Sequence, residues 1–148
     1  MFSNSDEAPE QIIVGINQNQ YNERIEDCSY SKENSFPTNK GEAFYRFVRS
    51  ELFDYFDHTS CSDDVAEAKP DPALYHLGLE KMGSAIDKVL VLEDSPNGVL
   101  AAKRAGLYCI AVPNKITSQL PFFENGGTPD RVLDSLREFP WDEYMKVN

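Results

Sequence analysis

The sequence predicts an α/β fold, a parallel β-sheet flanked by helices, on three observations. Val89 to Leu92 is an uninterrupted apolar run of strand length, the pattern of a strand buried on both faces. A helix start follows it closely at Ser95-Pro96, and Gly106 can end that helix in the left-handed conformation. A second apolar run, Tyr108 to Val112, is closed by Pro113 and repeats the strand. Strand, helix, strand in this sequence is the parallel crossover unit, which is right-handed in nearly all proteins.

Bulk properties restrict the function classes. A chain of 148 residues with 41% hydrophobic residues can build one domain with a real core. The net charge of −11 argues against binding a nucleic-acid backbone, which needs basic surface. It leaves room for a small phosphorylated molecule held by one local cation. Cys28, Cys61 and Cys109 form no C-x-x-C pair and are odd in number, which disfavours a zinc site or a disulfide framework. Met1 to Glu10 is polar and acidic, unlike a signal peptide, and no apolar run approaches membrane-spanning length. The expectation is a cytoplasmic protein with neither nucleic-acid nor membrane partners.

In chain order, Met1 to Gln11 reads as a tail and Ile12 to Ile16 as a short strand. Tyr21 to Lys40, rich in Asn, Ser, Glu and Lys, reads as irregular, so 1–40 is an irregular segment with one possible strand. The core is expected over 41–148. Ala43, Phe44, Phe47, Val48 and Leu52 recur at helical spacing. Phe53 to Phe56 is a hydrophobic junction, His58 to Ser62 a candidate strand and Asp63-Asp64 a solvated acidic loop. Lys69-Pro70-Asp71-Pro72 forces an extended entry, with Asp71 as N-cap and Pro72 at the first helical position. That helix runs to about Met82, with Leu74, Tyr75, Leu77, Leu79 and Met82 on its apolar side, and Gly83 ends it. Val99 to Ala105 is the next helix. Asn125 to Pro129 is a turn cluster, Arg131 to Leu133 a short edge strand, and Leu136 to Met145 a helix broken at Pro140. Cys109 is expected in the core, His58 and His76 in structural or exposed roles, and Trp141 and Tyr144 as packing for the last helix. No internal repeat is present. The whole is a Rossmann-like parallel sheet.

Chemistry concentrates at two places. Glu93 and Asp94 stand where the central strand hands over to a helix, and ligands of open α/β sheets bind at that carboxyl edge. Lys69 lies one strand-helix crossover upstream, within reach of the same edge. An ammonium beside carboxylates and a hard, oxygen-seeking Mg²⁺ ion is what phosphoryl transfer requires.

The stretches Leu52-Phe53-Asp54-Tyr55-Phe56-Asp57, Lys69-Pro70-Asp71-Pro72 and Leu92-Glu93-Asp94-Ser95-Pro96-Asn97-Gly98, with Ala101-Ala102 and Ala105-Gly106, occur in register. In these the chain resembles the C-terminal half of the core domain of the haloacid-dehalogenase-like (HAD) hydrolases, in the branch of phosphoglycolate-phosphatase-like and β-phosphoglucomutase-like enzymes. The resemblance implies a Mg²⁺-dependent phosphatase or phosphomutase lineage acting on a small phosphorylated metabolite. It implies that Lys69 is catalytic and holds the phosphoryl group, and that Asp94, most directly, and Glu93 bind Mg²⁺.

The chain departs from the family pattern at its start. No Asp-x-Asp, the family's nucleophile and acid/base pair, occurs anywhere in it. Ile12 to Ile16 can stand for the family's first strand, which puts the amides of Asn17 and Asn19 at the Asp-x-Asp positions. It can instead stand for the strand of the second motif, with Asn17 as a substrate-binding residue in place of Ser or Thr. The polar turn after it favours the second. The expectations are an incomplete or altered N-terminal part, no cap domain, and a truncated or inactive form, either half of an enzyme or a non-catalytic ligand-binding or protein-interaction module.

Overall fold

The computed structural model describes residues 11–15, 57, 58, 60, 62–123 and 126–140. Within them lies one parallel sheet of four strands, β1 (Gln11–Val14), β2 (Val89–Glu93), β3 (Tyr108–Ala111) and β4 (Arg131–Val132), side by side in that order. Two α-helices, α1 (Ala73–Met82) and α2 (Pro96–Arg104), connect and cover it. None of the helices among the described residues is long and apolar enough to cross a membrane.

β2 is paired on both sides, in register from Gln11↔Val89 to Val14↔Leu92 and from Leu90↔Tyr108 to Glu93↔Ala111. All five of its residues are buried. Side chains alternate across a strand. Val89 and Val91 therefore join Tyr75, Val99, Ala102, Leu107 and Cys109 under the helices. Leu90 and Leu92 join Ile110, Leu133 and Phe139 on the opposite face. A strand covered on both faces has no polar side, which is why its sequence does not alternate.

The helix termini follow the local chemistry. Ser95 is extended (φ −132°, ψ 149°) and its hydroxyl accepts the Gly98 N–H at 3.2 Å, the N-cap expected of it. Gly83 (φ 64°) and Gly106 (φ 77°) take the left-handed conformation that ends α1 and turns the chain from α2 into β3. α1 begins one residue later than expected, with Asp71 still accepting from its first turn. α1 starts at Ala73, whose N–H donates to Asp71 Oδ1 at 2.9 Å, and Pro72 occupies the N-cap position in a helical conformation.

Three expectations change. Of the expected strand at 12–16 the observed part is Gln11–Val14, which pairs with β2, the neighbour that the resemblance gives the family's first strand rather than the second-motif strand that the following turn favoured. Pairing decides this, because β2 needs a ladder partner on that side. At the candidate strand His58 to Ser62 none of the described residues is in a strand: His58 and Ser60 are irregular, and Ser62–Asp64 is a 3₁₀ turn closed by the Val65 N–H donating to Ser62 O at 3.4 Å. Of the expected helix at Leu136 to Met145, the described residues form one 3₁₀ turn, Leu136–Glu138, which stops because Phe139 is extended before Pro140 (φ −63°, ψ 121°) and buries its ring; 141–145 lie outside the described residues. The helix at 43–52, the junction at 53–56, Asn17, Asn19, Cys28, Cys61, Trp141 and Tyr144 lie outside the described residues.

Candidate functional site

The carboxyl end of β2 gathers what the sequence separates. Glu93 is the last residue of the strand, and its side chain turns inward with none of its surface exposed. A buried carboxylate is costly unless it is paired and hydrogen-bonded. Lys69 supplies the pairing, its Nζ 2.6 Å from Glu93 Oε1 across 24 residues of sequence. The Tyr75 hydroxyl donates a hydrogen bond to the same oxygen. Oε2 faces two longer contacts, from the Asp94 N–H at 3.3 Å and the Ser95 hydroxyl at 3.4 Å.

Each partner is placed by its element. Lys69 precedes α1 through a cis Lys69–Pro70 peptide. Arg104, at the end of α2, donates to Pro70 O at 3.0 Å and ties this turn to the second helix. Tyr75 lies in the first turn of α1, buried in the core between helices and sheet. Lys69 Nζ also lies 5.9 Å from the centre of its ring, a cation–π distance. Burial first, then the negative charge of Glu93 and the bond to it, raise the Tyr75 phenol well above its usual range, so it remains a proton donor.

Two glycines make the room. The Gly15 N–H donates to Leu92 O at 2.7 Å and continues the β1–β2 ladder to the level of Glu93. A β-carbon on Gly15 would stand 1.9 Å from Glu93 Oε1, and one on Gly98 1.9 Å from Oε2. Both distances are far inside van der Waals contact, so the carboxylate fills the volume that side chains at 15 and 98 would need.

The structure therefore brings together Lys69 and Glu93 and places Asp94 beside them, first after the strand. Asp94 is half-buried, with its Oδ1 atom buried. Glu93 faces the interior rather than the open edge. Among the described residues no three of His, Cys, Asp and Glu gather into a metal-binding group. His58 and His76 are exposed and Cys109 is buried. Asn17 lies outside the described residues. Sequence reasoning missed Tyr75, Gly15 and Gly98 as parts of the site. The available signal was a hydroxyl on an otherwise aliphatic helix face, since a buried tyrosine O–H usually has a partner.

Comparison with known proteins follows the same stretch. The family model for haloacid dehalogenase-like hydrolases matches residues 34–106. The chain is similar to the putative phosphatase YhcW of Bacillus subtilis, 45% identical over 87 residues, covering 59% of this chain and 38% of that protein. It is similar to the phosphorylated carbohydrates phosphatase of Thermotoga maritima, 38% identical over 106 residues, covering 68% and 49%. The crystal structure of a putative β-phosphoglucomutase from Thermotoga maritima superposes with a TM-score of 0.58 at 36% identity, over 65% of this chain and 44% of that one. The chain spans less than half the length of each of these two curated relatives.

Proposed function

This chain carries the C-terminal part of a haloacid dehalogenase-like hydrolase core, of the phosphoglycolate-phosphatase and β-phosphoglucomutase-like branch, and we propose that it supplies the cation-and-phosphate half of a site for a small phosphorylated metabolite, without turnover of its own. The observation that carries this reading is the Lys69 ammonium, held at the carboxyl end of β2 beside Glu93 and Asp94. A named relative is a phosphorylated carbohydrates phosphatase, which makes a phosphosugar the substrate class to try first.

Haloacid dehalogenase-like phosphatases generally use Mg²⁺, and the donor chemistry here suits it in part. Mg²⁺ prefers hard oxygen ligands, keeps several waters and is commonly held by one or two carboxylates plus substrate phosphate. Asp94 is the carboxylate in position to hold it. Held there, Mg²⁺ would supply positive charge to a phosphoryl oxygen beside the carboxylates. The residues of the chain do the rest. Lys69 offers its ammonium to a phosphoryl oxygen, Glu93 fixes where that ammonium stands, and the Ser95 cap directs the start of α2 toward the edge. What the sequence lacks is the family's Asp-x-Asp, and the residue that follows β1 at the level of Glu93 is Gly15, which has no side chain to act as a nucleophile. This last observation also favours the second reading, a non-catalytic ligand-binding module.

The test is the purified chain with small phosphomonoesters and Mg²⁺. The expected result is no hydrolysis above background, together with orthophosphate binding that weakens at least fivefold on Lys69→Met. Mg²⁺-dependent hydrolysis that disappears on Asp94→Ala would overturn the absence of turnover. Orthophosphate binding indifferent to Lys69 would overturn the assigned half-site.

A further inference from the structure

We propose that Tyr75 is a positioning residue that withholds Glu93 from a divalent cation: its hydroxyl and the Lys69 ammonium together occupy Glu93 Oε1 and hold the carboxylate in the interior. The inference rests on the reading of this edge as a metal edge given above.

Lone-pair accounting carries it. A carboxylate oxygen has two lone-pair directions, and here Lys69 and Tyr75 both donate to Oε1. The other oxygen points toward the Gly98 backbone, the Asp94 N–H and the Ser95 hydroxyl rather than toward solvent. The side chain has no exposed surface, and Gly15 and Gly98 let it lie so deep. A metal ligand at this edge must present an oxygen to an ion that keeps part of its water shell. Oε1 does so only by breaking its bonds to Lys69 and Tyr75, and Oε2 only by turning away from the Gly98 backbone it lies against, which the anchoring of Oε1 by Tyr75, fixed in the buried core, resists. Removing the phenolic oxygen leaves a buried carboxylate with one strong donor fewer, which drives it toward water or a cation. Tyr75→Phe is thus expected to admit Glu93 to the metal.

The experiment titrates the full chain with Mn²⁺, followed by electron paramagnetic resonance of the free ion, for wild type, Tyr75→Phe, Glu93→Gln, Asp94→Asn and the Tyr75→Phe/Glu93→Gln pair. Tyr75→Phe should bind Mn²⁺ at least threefold more tightly than wild type, and adding Glu93→Gln should remove the gain. Glu93→Gln alone should change the affinity less than twofold. In a proton NMR spectrum, a slowly exchanging downfield hydroxyl signal should be present in wild type and absent from both Tyr75→Phe and Glu93→Gln. Affinity unchanged by Tyr75→Phe, or lowered as much by Glu93→Gln as by Asp94→Asn, would overturn the inference. If wild type binds no Mn²⁺, binding gained by Tyr75→Phe through Glu93 supports it, and binding gained by neither overturns it. Affinity indifferent to Asp94→Asn removes only the role of Asp94, because the comparison of Tyr75 with Glu93 does not depend on it.

Discussion

Gly98 shows how one missing side chain is balanced against another that is present. In the first turn of α2, alanine would normally be preferred to glycine by about 1 kcal/mol. Here its β-carbon would meet the Glu93 carboxylate at 1.9 Å, and the carboxylate is anchored by Lys69 and Tyr75. Overpacking of this kind costs about 1–3 kcal/mol, and the contact is with an ion-paired group that has little freedom to retreat. Gly98→Ala should therefore destabilise the chain by about 2 kcal/mol, read as a lower urea midpoint at unchanged slope. A neutral or stabilising result would show that Glu93 is free to move. Cys109 makes the complementary case. It lies in the middle of β3, fully buried, and burial together with the nearby Glu93 charge pushes its thiol far above the ordinary range. With so little thiolate, it should resist alkylation by iodoacetamide at pH 8 in the native chain and react once urea is added, with peptide mass spectrometry reporting on that residue alone.

At the level of elements, α2 holds the site together through both of its ends. Ser95 caps it, and Arg104 reaches back to Pro70 and steadies the turn carrying Lys69. Ser95→Ala removes an acceptor from the Gly98 N–H and should cost about 1 kcal/mol in a denaturant titration. Ser95→Thr should recover most of it. The contact of Ser95 with Glu93 Oε2 is too long, at 3.4 Å, to add much. β3 and β4 are joined in a comparable way. Asp130 accepts the Cys109 N–H at 2.8 Å and pairs with Lys103 of α2 at 2.6 Å, so one side chain links a strand, a helix and the loop before β4. The pair with Lys103 is partly exposed and worth little by itself. The backbone N–H that would be left without its acceptor matters more.

For the molecule as a whole, the buried protonated groups set an alkaline limit. Cys109 and Tyr75 both have raised native values. Their stabilising contribution is complete below the unfolded values, 9.0 for the thiol and 10.0 for the phenol, and is lost as pH rises beyond them, because only the unfolded chain can then release the protons. Each group should steepen the loss by about 1.4 kcal/mol per pH unit. Urea midpoints between pH 7 and 10 should fall above pH 9 in wild type and fall less steeply in Cys109→Ala. Equal slopes would mean that the folded chain ionises this thiol.

The sequence by itself determined the elements whose signals are local. The apolar run of β2, the Ser95-Pro96 start of α2, the glycines at 83 and 106, and the motifs of Lys69 and Glu93-Asp94 were readable because each depends on neighbouring residues in the chain: burial on both faces, an N-cap, a positive φ, a fixed spacing. Only the tertiary structure decided which strand stands beside β2, because parallel pairing joins residues far apart and Ile12 to Val14 carries no mark of its neighbour. It also decided that the described residues His58, Ser60 and Ser62 are not in a strand and that the last described turn stops at Phe139, before Pro140. At the site, the charge types were legible and their orientation was not. Whether Glu93 faces a metal or the core depends on the room beside Gly15 and Gly98 and on a hydroxyl from α1, and packing brings those together across the fold.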